Sequence, residues 1–144
     1  MNSNKDSIYL VKSPVFRPEE PRHFMVLEEV ETHMLAIAQG RQIANTGMVQ
    51  PDVLKLKEVG NKIYDPVYYF ARSDVNMSNL KESGKTRTTC PLKGIATYFH
   101  VTAGDMVLEN AAWSYEEVFE FDERLNALKS RIAFDSRVKT LEFN

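Results

Sequence analysis

Residues 86–115, TRTTCPLKGIATYFHVTAGDMVLENAAWSY, constrain the fold more than any other stretch of this chain. Within them, Ile95, Thr97, Phe99 and Val101 point one way along residues 94–102, and Ala96, Tyr98, His100 and Thr102 point the other. A period of two describes a strand with two distinct faces. Gly104-Asp105 then turns the chain into a second strand over residues 106–113. Its faces are Met106, Leu108, Asn110 and Ala112 against Val107, Glu109, Ala111 and Trp113. Upstream, the β-branched run TRTT predicts a strand leading into Cys90-Pro91.

The same pattern of short strands and turns continues outside that stretch. FMVLEEVE reads as a strand and turn, and HMLAIA and QIAN, separated by Gln39-Gly40-Arg41, read as a hairpin that ends at Asn45-Thr46-Gly47. VLKLKE alternates like a half-buried strand, and VYYFA follows the Asp65-Pro66 bend as another. Asp74 is expected to cap a short helical turn over VNMSNL, which Ser83-Gly84 should break. Leu125 and Leu128 predict one short helix over residues 122–129, and RIAF and VKTLEF close the chain as strands. The expected fold is mainly β with one or two short helices, either a compact two-sheet structure or a partly open barrel.

With 144 residues, one domain over residues 23–144 is expected, preceded by an extended arm, residues 1–22. Pro14, Pro18 and Pro21 remove donors and fix φ in that arm. Tyr9, Leu10, Val11, Val15 and Phe16 are too apolar for a solvated tail, so docking on the domain, or on a second copy to make a homodimer, is expected.

A net charge of −2 argues against a dedicated nucleic-acid binder. No apolar run approaches the ~20 residues of a membrane span, and the N-terminus lacks the apolar core of a signal peptide. One cysteine allows neither an internal disulfide nor a thiolate zinc cluster, which fits a reducing cytoplasm. His23, His33 and His100 show no metal-ligand spacing, and neither G-x-x-x-x-G-K-[ST] nor G-x-G-x-x-G occurs, so no metal and no cofactor are expected.

The candidates for chemistry are few. Cys90 has Lys85, Arg87 and Lys93 within five positions, and nearby positive charge favours a thiolate, although a free Cys is more often a small buried hydrophobe. Lys93, wedged between Pro91 and Gly94, is placed to meet an anion, and Arg72, Lys81, Lys85 and Arg87 would join it in a basic patch. Tyr64, Tyr68, Tyr69, Tyr98, Trp113 and Tyr115 suit a core, and some of them suit the wall of a pocket. His100 is a candidate general base; Asp74 is the best-placed carboxylate.

The run from Thr89 to Tyr98, TCPLKGIATY, and the run NAAWSY from Asn110 resemble the T-C-P-x-K-G-x-A-x-Y and N-x-A-W-x-Y signatures of the domain of unknown function 427 family. The stretch from Tyr69 to Val75 and Ile132-Ala133-Phe134 with Val138 are similar to its other elements, so the resemblance spans about residues 23–143. It implies a mostly β domain related to the β-tent folds, with Tyr69, Asp74, Cys90, Lys93, Tyr98, Trp113 and Tyr115 as its polar or stacking positions. The nucleotidyltransferase label that the family carries has no nucleotide motif to match it here. Ala71 stands where a Pro is usual, Glu116 and Val118 replace prolines, and Asp135 replaces an aromatic.

These residues support three readings. The first is a module that binds a small anionic molecule through Tyr69, Arg72, Lys93, Tyr98, Trp113 and Tyr115. The second is a group-transfer enzyme using Cys90 or Lys93, with Asp74 a further catalytic candidate. The third is a structural or interaction protein.

Overall fold

A backbone rich in short, β-prone segments satisfies its N–H and C=O groups by pairing, and each strand must hide at least one apolar face. The computed structural model describes residues 13–143, in which that demand is met by antiparallel sheets. The expected docking of Tyr9, Leu10 and Val11 lies outside the described residues.

The first sheet has the order β1-β2-β5-β6: β1 (Val15–Arg17), β2 (Glu20–Val30), β5 (Val53–Val59) and β6 (Val67–Phe70). The second has the order β10-β9-β8-β7: β7 (Leu80–Cys90), β8 (Gly94–Ala103), β9 (Met106–Val118) and β10 (Ala133–Phe134). The third has the order β11-β3-β4: β3 (His33–Ala38), β4 (Arg41–Asn45) and β11 (Lys139–Phe143). The fold is mainly β, as the alternation predicts, and no sheet closes into a barrel.

β1 and β2 pair as a hairpin across residues 15–25, and Val15 is buried. Gln39 and Gly40 carry φ of 50° and 73° between β3 and β4, the left-handed pair whose twist matches the flanking strands.

Local expectations differ in three places. Ser83-Gly84 does not end an element: β7 runs through it, and the register jumps from Glu82 opposite Phe99 to Arg87 opposite Thr97. Gly84, at φ 76°, absorbs the bulge. Asp74 caps nothing; it closes a 3-10 turn, Arg72–Asp74, whose N-cap Ala71 has no side chain to bond. With β7 starting at Leu80, VNMSNL has room only for a second 3-10 turn, Met77–Asn79. The helix expected at residues 122–129 is a shorter 3-10 turn, Glu123–Ala127, where the Asp122 side chain accepts from Arg124 N.

The interior divides in two. Met34, Ile43, Phe70, Phe99, Val101 and Ile132 belong to one apolar cluster; Met25, Leu56, Tyr69, Leu92, Leu125 and Leu128 belong to the other. β6 stands between them, sending Phe70 into the first and Tyr69 into the second. VYYF is aromatic on both parities because both faces of that strand are covered. Backbone bonds between Phe70 and Ile132 (2.8 and 3.0 Å) join β6 to the segment leading into β10, and so the first sheet to the second.

Candidate functional site

The second cluster is the one that contains charge. On β2, Met25 and Leu27 face it, and the same parity brings His23 to that side. On β5, Leu54 and Leu56 face it, and the parity continues to Glu58, which lies opposite Met25. The Glu58 carboxylate therefore sits at the mouth of an apolar layer. It accepts from His23 Nε2 at 2.6 Å and from Lys93 Nζ at 2.5 Å.

Lys93 arrives from the turn between β7 and β8. Leu92 anchors that turn in the core, and Arg17 Nε donates to Pro91 O at 2.9 Å. Gly94 then enters β8 at φ 139°, where an added Cβ would lie 2.0 Å from Glu117 O. Only glycine permits that approach. Phe119 N donates to Lys93 O at 3.0 Å, so the backbone beneath the ammonium is held from both sides. The Lys93 side chain is 8% exposed, and its Nζ lies 5.5 Å from the Tyr115 ring centroid.

Around this pair lies a cleft of about 370 Å³. Tyr69 and Val67 from β6, Tyr98 from β8, and Trp113 and Tyr115 from β9 wall it, and residues 62–65 form part of its rim. Trp113 Nε1 donates to the Tyr69 oxygen at 3.2 Å, and its ring lies 6.2 Å from that of Tyr98. Tyr98 is tied in turn to Thr88 at 3.1 Å. Such bonds fix ring orientation as well as position.

The protonation states reflect burial and charge. Burial pushes the Glu58 carboxyl up, but the ammonium of Lys93 and the bonds from Lys93 and His23 outweigh it, and the net shift is down. Burial also opposes the Lys93 charge, yet the net shift is up, and Glu58 is the hydrogen-bonded anion beside it at neutral pH. Burial pushes Tyr69 up to about 12 and raises Tyr115 as well. At neutral pH the cleft thus holds a charged Lys93–Glu58 pair and two protonated phenols.

Five of the six residues expected to bind ligand, Tyr69, Lys93, Tyr98, Trp113 and Tyr115, line this one cleft. Arg72 does not. It donates to Glu116 (2.8 Å) and Ser130 O (2.9 Å) and lies over the Phe99 ring. Lys81, Lys85 and Arg87 are exposed along β7, so they make no joint patch with the buried Lys93. Cys90, half-buried at the end of β7, packs against the second cluster. Asp74 lies outside the cleft lining; burial, then Asp52, raises its pKa. His100 Nδ1 accepts from Asn110 N at 3.0 Å, at a bulge where Asn110 has φ 54°. Among the described residues no group of His, Cys, Asp and Glu is arranged to hold a metal.

Sequence reasoning missed Glu58 and gave His23 no role beyond the search for metal spacing. The available signal was parity: each is a polar residue continuing the buried side of an alternating strand.

A family model described as a domain of unknown function, DUF427, matches residues 26–143. The chain belongs to the DUF427 family. No curated protein matches it. In this DUF427 domain Glu58, Lys93 and the aromatic walls fall within the matched span, and His23 lies just ahead of it. Among the described residues no helix is long and apolar enough to cross a membrane.

Proposed function

We propose that this DUF427 domain binds a small molecule carrying a carboxylate or phosphate, and that Lys93 holds that group in the aromatic cleft. The observation that carries the reading is the state of the ammonium. It is buried and charged, and among the described residues Glu58 is its one hydrogen-bond acceptor. An ammonium has three donors, so two remain for an acceptor in the cleft. The raised pKa values of Tyr69 and Tyr115 keep their hydroxyls protonated beside it, as further donors. Tyr98 and Trp113 offer ring faces to the body of such a ligand. Arg72, already paired with Glu116, is not needed. Group transfer through Lys93 finds less support, because a nucleophilic amine must be neutral and this one is held charged.

Thermal unfolding with nucleotides, sugar phosphates and carboxylic acids tests the proposal. One of these classes should stabilise the wild type, by about 2.7 kcal/mol at a hundredfold excess over Kd, and should not stabilise Lys93→Ala. If none of them raises Tm, and Lys93→Ala leaves the protein unchanged, the reading fails.

A further inference from the structure

The cleft does not end at Trp113. A second groove of about 410 Å³ adjoins it, and Asp65, Val67 and Trp113 line both. The two basins differ in character. The first holds four formally charged side chains, Glu58, Lys62, Asp65 and Lys93. Pro66, Tyr68, Phe134, Val138 and Leu141 give the second a more apolar lining, with Asp65, Asp135 and Lys139 as its charged members. Asp135 in that lining is occupied by Arg137, whose Nε and Nη2 reach its carboxylate at 2.7–3.2 Å. Trp113 forms the divide, with its Nε1 edge tied to Tyr69.

Resting on the anion site at Lys93, we infer that the ligand is an amphipathic monocarboxylate. Its charged end sits at Lys93, and its apolar body passes Trp113 into the groove that Leu141 helps to line. The charge count favours a monoanion: the first basin carries two positive and two negative groups, and Glu58 sits directly beside the ammonium. A dianion there would meet uncompensated repulsion in a partly desolvated site. The more apolar basin, which meets the charged one at Asp65, Val67 and Trp113, selects a hydrocarbon body attached to that carboxylate. Basins of this volume lie in the range of small-ligand sites.

A homologous series of n-alkanoates, butanoate to decanoate, tests this, with n-alkanols of equal length as uncharged controls. Binding is read from the fluorescence of Trp113, the single tryptophan of the chain. Each added methylene should tighten binding about fourfold until the second basin is filled. Leu141→Glu, at a position 40% exposed and so tolerant of change, should remove that slope. Acids that bind in a Lys93-dependent manner with equal affinity at every length would overturn the inference and leave the anion site standing. Alkanols that bind as tightly as the acids would overturn both. Failure of every alkanoate would also overturn it, and a Lys93-dependent response to phosphate compounds would then show that the anion site survives.

Discussion

The two halves of the interior share strands but differ in kind. In the first cluster Phe70, Phe99, Ile43 and Ile132 pack with no charged side chain among the buried members. In the second, Met25, Leu56 and Leu92 pack around a layer whose open side holds Lys93, Glu58, Tyr69 and Tyr115. β6 presents adjacent aromatics to each, and the one facing the second cluster carries the hydroxyl. Burial of hydrocarbon dominates the first half, where buried Thr46 accepts from Met34 N and no charged group is buried among the described residues. The second half accepts desolvated charge, which costs stability unless every partner is in place. Both halves hold the fold together, and the second also opens onto the candidate site.

Substitutions can break that comparison, and the largest effect should come from the dry half. Phe70→Ala removes a fully buried ring in contact with Phe134, at an expected cost of about 4 kcal/mol in chemical denaturation. The Lys93-dependent ligand response should survive it; loss of that response would mean the halves are not separable. Lys93→Met should cost about 3 kcal/mol, because Glu58 keeps only His23 as a partner. It should also abolish anion binding; a variant as stable as wild type would show that the pair contributes nothing net.

Glu58→Gln sharpens the electrostatic side. The folded state holds the Glu58 pKa below its ordinary 4.5, so the stability it contributes is present above that value and lost as pH falls through the lowered one. Glu116 and Asp122 are lowered in the same direction, so the wild type should lose stability steeply below about pH 4.5 and the variant less steeply. Equal acid limbs in urea titrations at pH 3 to 6 would refute this. Trp113→Phe, which leaves the Tyr69 oxygen without its indole donor, should cost about 1 kcal/mol and weaken binding. Arg72→Ala should have the smallest effect, below about 1 kcal/mol, since its pair with Glu116 is about a third exposed. Ligand affinity should not change; a tenfold loss would bring Arg72 back into the site.

Much of this was legible in the residues. The alternation of residues 94–102 marks β8, Gln39-Gly40 marks the first hairpin, and the Cys-Pro to Trp-Tyr block marks the family. Five of the six side chains read as ligand-binding do share one cleft. Arg72 misleads because closeness in sequence to β6 says nothing about which side of the sheet a 3-10 turn emerges on. Glu58 was overlooked because VLKLKE looks like a half-exposed strand with its charges outward, although parity puts its last charge on the side of Leu54 and Leu56.

By itself, the sequence determined the strand-rich class, the turns and the aromatic composition of the candidate site, because these depend on spacing and on the conformations each residue permits. The tertiary structure alone decided that Lys93 is a buried, paired cation and not part of a basic patch, and that Trp113 lines both a charged basin and a more apolar one. Ion pairing and pocket shape depend on which distant strands meet. His23, Glu58 and Lys93, separated by 35 residues at each step, come together only when β2 pairs with β5 and the turn after Cys90 packs above them.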